Sequence, residues 1–185
     1  CIESFLPSGQ HIYVLNNGSE HMQWVALMSR YKENALLSFL DSSKNLGVSA
    51  GRNYLIRNST EPWLLTVDND IPATWVEAVE HFLSFNPTAK IICPLLFNVH
   101  EGEYSLQLKI RWENQNVDIL PGEYDCANCF PGGASLVHRS VYDDYGLFDE
   151  DMFVGFEDYE FALRAIKSSH GELKTFTCRS FELVH

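Results

Sequence analysis

The sequence predicts an α/β domain, with a mostly parallel, mixed central sheet flanked by helices. Three observations carry this. Apolar runs of strand length alternate with helix-spaced segments through the first half, the pattern of a parallel sheet with helices on both faces. The second half adds strands without long helices between them, which makes the sheet mixed. The chain has 185 residues and no linker, repeat or low-complexity segment, the size of one domain with a full core.

Taken in order, His11-Ile12-Tyr13-Val14-Leu15 reads as a strand, closed by the turn residues Asn16-Asn17-Gly18-Ser19. Residues 20–31 carry Met22, Val25 and Met28 at helical spacing. Residues 35–40 are a short apolar strand candidate, and Asn45-Leu46-Gly47 leads into a helix over 49–58. Residues 63–67 form a continuous apolar run, as a buried strand should. Thr74 is placed to cap a helix reaching Phe85, with Trp75, Val79, Phe82 and Leu83 turned inward. Residues 90–99 and 104–112 read as strands, and the stretch holding Pro121-Gly122 and Pro131-Gly132-Gly133 reads as a loop. A short strand at 134–137, a strong helix at 157–169 stopped by Gly171, and a last strand at 173–178 complete the chain.

Composition narrows the function. The formal net charge of -12 argues against a nucleic-acid surface, which needs clustered Lys and Arg. An acidic protein that handles an anionic ligand needs a local device, such as a metal ion or a helix N-terminus. No apolar run approaches the length of a membrane span, and no secretion signal is expected. The expected location is cytoplasmic, with peripheral attachment at a membrane as the alternative. The chain opens Cys1-Ile2-Glu3-Ser4-Phe5, as if inside an element, and is expected to be a fragment or a trimmed chain. There are five cysteines. Cys126-Ala127-Asn128-Cys129 has the spacing of half a zinc site or a redox pair, but Cys93 and Cys178 stand alone, so reduced thiols are expected.

Two stretches carry chemistry. Leu64-Leu65-Thr66-Val67 delivers Asp68-Asn69-Asp70 to the carboxyl end of a buried strand, where α/β proteins bind ligands. Acids placed there need a positive neighbour: a metal ion, a cationic side chain or the next helix N-terminus. Hard oxygen ligands suit Mg²⁺ or Mn²⁺, which would also hold phosphates; a cap for the helix after Pro72 is the alternative. The second stretch is FDEDMFVGFEDYEFALRAI. Helical spacing puts Asp158, Phe161, Ala162, Ala165 and Ile166 on one stripe, apolar except for its first member. Asp158 is therefore expected to point inward at a helix N-terminus. The dipole there keeps a carboxylate ionised, able to act as a general base. Glu157 and Asp158 as ordinary first-turn acids is the competing view.

Together these stretches resemble the family 2 glycosyltransferases, which have the GT-A fold. Asn16-Asn17-Gly18-Ser19 stands where that family has a strand ending in an acidic turn before Gly-Ser. Asn45-Leu46-Gly47 through Gly51-Arg52-Asn53 matches its N-x-G stretch ending in Arg-Asn. Asp68-Asn69-Asp70 is the D-x-D. Gly146-Leu147-Phe148-Asp149-Glu150, then Gly155-Phe156-Glu157-Asp158 and Arg164, matches its G-x-F-D-E…G-x-E-D…R block, the most specific of the four. Order and spacing fit over nearly the whole chain, so residues 1–185 would be a single GT-A domain. Two departures stand out: the family's opening strand, ending in a Pro-Thr-x-Asn-like turn that touches the base, is missing, and Asn16 replaces an aspartate that commonly contacts uracil.

The resemblance implies inverting, metal-dependent transfer from a nucleotide-diphosphate sugar, with a UDP-sugar favoured, to a hydroxyl of a carbohydrate or glycolipid acceptor. Polysaccharide or glycoconjugate synthesis is the implied setting. Mn²⁺ or Mg²⁺ would be held by Asp70, by Asp68 through water, and by His185, for which a surface histidine at a frayed end is the alternative. Asp158 would be the catalytic base, and Glu157 would bind acceptor hydroxyls or orient its loop. Asn16, Arg52 and Asp68 would face the nucleotide, with Arg52 toward the diphosphate unless it is a solvated helix arginine. Gly132-Gly133 would let backbone approach the sugar, unless they only form a tight turn. Trp112, Tyr124, Phe130, Phe153 and Phe156 are candidates to stack on sugar rings, set against the commoner core role of aromatics. A retaining GT-A transferase and a non-catalytic nucleotide- or sugar-binding domain stay open. The first is separated by the product's anomeric configuration, the second by binding of UDP without turnover.

Overall fold

The structure, a computed structural model, describes residues 1–72, 76–168 and 173–184. A short helix α1 (Ile2–Phe5) and a 3-10 turn precede β1 (Ile12–Asn17), α2 (His21–Tyr31), β2 (Leu37–Ser42), α3 (Gly47–Asn58) and β3 (Trp63–Val67). Then come α4 (Val76–Phe85), β4 (Ile91–Asn98), β5 (Glu103–Tyr104), β6 (Gln107–Glu113), β7 (Asn116–Gly122) and β8 (Cys126–Ala127). The chain continues through β9 (Ala134–His138), α5 (Ser140–Tyr145), α6 (Glu157–Lys167) and β10 (Thr175–Val184). The strand–helix alternation expected of the first half is present. Thr74, Trp75 and Gly171, expected to cap, line and stop helices, lie outside the described residues.

β1 and β2 pair in parallel as a sheet of their own, and the larger sheet runs β3-β9-β4-β10-β8 with β5 on β4. β10 runs parallel to β4, while β9 runs against both β3 and β4. The sheet is mixed, as expected, with a smaller parallel share than expected, because β9 inserts antiparallel between two first-half strands. That insertion has a consequence for function. Val67, the last residue of β3, lies opposite Ala134, the first of β9. Pro131-Gly132-Gly133 is thereby delivered to the carboxyl end of β3.

Residues 104–112 do not form one strand: Ser105 still donates to the Leu96 carbonyl, and the chain then leaves β4 to start β6. The loop expected through Pro121-Gly122 contains β7, paired with β6 in a hairpin. Asn114 and Gln115 turn it with φ of 49° and 68°, the left-handed pair a two-residue hairpin needs. Without a glycine there, the turn signal is invisible in the sequence. β10 extends beyond Cys178 to Val184, its register shifting at a bulge between Cys178 and Glu182. α5 is too short to show a period.

Alternation along β4 sorts the core into two layers. Ile91 and Cys93 face Phe130, Val137, Phe148 and Phe161 beneath α3, α5 and α6, while Ile92 faces Val79, Phe181 and Leu183 on the α4 side. Phe161, fully buried, anchors α6 among Phe130, Tyr142, Tyr145 and Phe148. Among the described residues no helix is long and apolar enough to cross a membrane.

α3 is tied to the loop before α6 by Asn53, which is fully buried. Its Oδ1 accepts from the Phe148 amide (3.0 Å) and its Nδ2 donates to the Phe148 carbonyl (2.8 Å) and Glu150 Oε1 (2.9 Å). Asn53 and Arg57 together hold the Glu150 carboxyl below its usual range. Asn53→Ala would orphan buried backbone groups, so a loss of ~1–3 kcal/mol is expected. The check is the urea unfolding midpoint; no shift would mean that water replaces the amide without cost.

Candidate active site

The site forms where the carboxyl end of β3, the first turns of α3 and the N-terminus of α6 meet. β3 ends at Val67, and Asp68-Asn69-Asp70 make an exposed turn closed by the Ile71 amide on the Asp68 carbonyl (3.2 Å). Ile71, 2% exposed, plugs into the α4-side core and fixes that acidic turn. The positive neighbour these acids require is in part a side chain. Arg52, from α3, places Nη2 3.2 Å from Asp68 Oδ1 and Nη1 2.5 Å from Glu157 Oε1. Arg52 and Glu157 are both nearly buried and Asp68 is half exposed, so Arg52 is not a solvated helix arginine.

Gly132 and Gly133 back this triad. The Thr66 hydroxyl donates to the Gly132 carbonyl, and the Asp68 amide donates to the Gly133 carbonyl at 3.0 Å. A Cβ on Gly132 would overlap the Arg52 guanidinium, and one on Gly133 would overlap the Asp68 carboxylate. The pair is thus more than a tight turn: its lack of side chains leaves room for both charged groups.

α6 opens without a side-chain cap, Phe156 standing before it in the left-handed region. Glu157 is its buried acid, and its Oε2 has no hydrogen-bond partner. Asp158 is half-buried on the expected stripe, ahead of Phe161, Ala162 and Ala165. Its Oδ1 accepts from the Tyr159 amide (2.9 Å). Burial, with a contribution from Glu157's charge, raises its pKa above the ordinary aspartate value; hydrogen bonds at the helix start and Arg52 oppose this. Arg164 donates to the carbonyls of Tyr145 and Leu147 and to Glu160, so the arginine of the motif block ties α6 to the loop before it.

Asn16 sits at the end of β1 with both ends of its amide in use. Nδ2 donates to Asp41 Oδ1 (2.6 Å) and Oδ1 accepts from the Ser19 amide (2.7 Å). Asn17 bridges to the N-x-G stretch through the Leu46 amide and the Gly47 carbonyl, and the Val48 amide reaches the Phe153 carbonyl. The strand-end logic that exposed Asp68 would also have found Asp41, at the end of β2, which sequence reasoning passed over. His185 lies outside the described residues.

Asp68 and Asp70 offer two hard-oxygen donors, and among the described residues no group of three His, Cys, Asp or Glu gathers as for a metal. Two carboxylates suit an ion that completes its shell with water and ligand phosphates, and both Asp68 and Asp70 are exposed. The Cys126-x-x-Cys129 pair is free thiol, as expected. Burial pushes the Cys129 thiol well up, as it does Cys93, to about 12, so neither is a ready thiolate. Of the stacking candidates, Phe130 is core, Trp112 carries Lys167 and Tyr124 carries Lys109 over its ring, and Phe153 and Phe156 are exposed.

No curated protein matches the chain. Among solved structures, it superposes on GalNAc-T7 with UDP, GalNAc and Mn²⁺ at a TM-score of 0.71 and 15% identity, covering 100% of this chain and 40% of that one. The mannosyltransferase PcManGT from Pyrobaculum calidifontis, in complex with GDP-Man and Mn²⁺, gives 0.63 and 14%, covering 95% and 47%. S. aureus TarS gives 0.66 and 14%, covering 94% and 30%. The chain thus spans less than half the length of each, and at these identities the likeness shows the shared GT-A fold. The family model described as Glycosyl transferase family 2 matches residues 1–146. The chain belongs to glycosyl transferase family 2.

Proposed function

We propose that the chain carries the catalytic centre of an inverting, metal-dependent glycosyltransferase. It would move a sugar from a nucleotide-diphosphate donor, a UDP-sugar for preference, to a hydroxyl of a carbohydrate or glycolipid acceptor in polysaccharide or glycoconjugate synthesis. The observation that carries this reading is the meeting of Asp68, Arg52 and Glu157 at the carboxyl end of β3, with Asp158 beside them. Two of the similar structures hold a nucleotide or nucleotide sugar with Mn²⁺.

In this scheme the donor lies over the carboxyl edge of the sheet. Asp158 takes the proton of the acceptor hydroxyl. The acceptor oxygen bonds to the anomeric carbon from the face opposite the diphosphate, and the bond from that carbon to the phosphate oxygen breaks with its electron pair. Inversion follows. Asp70 and Asp68 would hold Mn²⁺ or Mg²⁺, with His185 as the proposed third ligand; the ion supplies positive charge to the leaving diphosphate. Arg52 would exchange its carboxylate partners for phosphate oxygens. Glu157 Oε2, buried without a donor, is a costly group that an acceptor hydroxyl would satisfy. Asn16 would stand on the nucleotide side, its amide oriented by Asp41.

The test offers UDP- and GDP-sugars with a panel of acceptors, in Mn²⁺ or in EDTA, and follows release of nucleoside diphosphate and the product's anomeric configuration. Metal-dependent release with inverted product is expected. Binding of UDP without release from any donor overturns the catalytic reading, and retained configuration overturns inversion.

A further inference from the structure

We propose that Glu157 and the donor diphosphate compete for the Arg52 guanidinium, so that Glu157, a residue of the acceptor side, also sets the affinity for the donor. The inference rests on the glycosyltransferase reading above and gives Glu157 a positioning role in that same site, acting through Arg52.

Arg52 meets two carboxylates with a single positive charge, and the two differ in depth. The Asp68 side chain is 55% exposed, so water screens its pairing. The Glu157 side chain is 9% exposed and lies against an Arg52 side chain that is 11% exposed. An ion pair that far from solvent is screened little, which makes Glu157 the partner that holds the guanidinium. The hold is steric as well. A Cβ on Gly132 would overlap Arg52 Nη1 and lie 3.6 Å from Glu157 Oε1, so both charged groups rest on the backbone of that glycine. The guanidinium carbon stands 5.9 Å from the centre of the Phe148 ring, a second support that does not depend on either carboxylate.

A diphosphate arriving at the carboxyl end of β3 therefore meets an arginine already engaged. Nearly buried between its carboxylates, Arg52 offers a ligand little surface until one of them gives way. Moving the guanidinium from Glu157 to phosphate exchanges one charge-assisted pair for another, so the bond to Glu157 subtracts from donor affinity. The exchange also strips Glu157 of its partner. Oε1 loses Arg52, and Oε2 has no hydrogen-bond partner to begin with. Both oxygens then stand ready for hydroxyls. By linkage, a ligand that satisfies them strengthens donor binding by the same factor by which the donor strengthens theirs.

The test is calorimetric titration of UDP, in Mn²⁺ and in EDTA, into the parent and variants whose melting temperatures show them folded. Glu157→Gln leaves Arg52 a neutral acceptor, about half as strong as the charged one, and should bind UDP ~10-fold more tightly. Glu157→Asp keeps the charge but draws it back from Nη1 by one methylene; it should act in the same direction with less effect. Asp158→Asn removes a neighbouring carboxylate that bonds the Tyr159 amide and not Arg52, and should leave UDP affinity within about 2-fold of the parent. On an Arg52→Gln background the gain from Glu157→Gln should fall below about 2-fold, a coupling that a merely structural Glu157 would not show. The inference is overturned if both Glu157 variants bind UDP no more tightly than the parent, if Asp158→Asn gives an equal gain, or if the gain survives without Arg52. A parent that binds no UDP in either buffer removes the nucleotide site and the glycosyltransferase reading with it. A parent that binds UDP, with no gain in the Glu157 variants, removes the inference alone.

Discussion

Asp158→Asn is expected to slow sugar transfer by ~10²–10⁴-fold, the usual contribution of a positioned base, while donor affinity changes little. The amide keeps the shape of the carboxyl and can still accept from the Tyr159 amide, but it cannot take a proton at neutral pH. Donor affinity holds because the base acts on the acceptor hydroxyl and not on the diphosphate. The stability sign separates this role from a structural one. Burial first, then Glu157, raises the Asp158 pKa in the folded chain. The folded state therefore binds that proton more tightly than the unfolded state, so stability falls as pH rises from the unfolded value through the folded one. The penalty is fully present above the folded pKa. Asp158→Asn removes it, so the melting temperature at neutral pH should stay level or rise, whereas removal of a helix cap would cost about 1 kcal/mol. Activity should also show an acid limb above the ordinary aspartate range, missing from the variant's residual rate. Turnover, donor affinity and melting temperature are measured together; transfer within a few-fold of the parent rate would take Asp158 out of the mechanism.

What the sequence revealed, and what it hid, follows from where the information sits. The first-half strands were legible because apolar runs bounded by turn residues leave a local pattern even where, as in β1, β2 and β3, the strand is only partly buried, and β3 with its acidic end was among them. The hairpin was hidden because its turn is made by Asn114 and Gln115, neither a glycine, and because β7 is exposed along most of its length. The order of strands was beyond local reading. Nothing near residue 134 says that β9 inserts beside β3, yet that insertion brings Gly132-Gly133 to Asp68. The acids of the site were readable one by one. Their union through Arg52, 16 residues from Asp68 and 105 from Glu157, is a product of the fold. Glu157 shows the same limit. As a first-turn acid beside Asp158 it looked like the lesser partner, and the structure makes it the more buried of the two.

Asp70→Ala is expected to abolish the gain in nucleoside diphosphate affinity that Mn²⁺ or Mg²⁺ gives the parent chain. The argument is electrostatic. The chain is acidic overall, at -12, and the mouth of β3 presents Asp68 and Asp70 where the diphosphate would lie. Anionic protein and anionic ligand can share that place only with positive charge between them. Arg52 supplies one such charge, already divided between Asp68 and Glu157, which leaves the diphosphate's charge largely unmatched. A divalent ion on Asp70 would close that gap, the rest of its shell coming from phosphate and water. Losing an outer-shell partner of a metal ligand typically costs ~10–100-fold in metal affinity, and losing a carboxylate ligand should cost at least as much. The fold should hold, because Asp70 is exposed and its neighbour Ile71 anchors the turn from within the core. Calorimetric titration of UDP into parent and variant, each in Mn²⁺ and in EDTA, reads the effect directly. The parent should bind more tightly in Mn²⁺, and the variant should bind alike in both buffers with its melting temperature unchanged. Equal affinity of the parent in Mn²⁺ and EDTA would show that Arg52 suffices for the diphosphate, and would remove the metal from the proposed site.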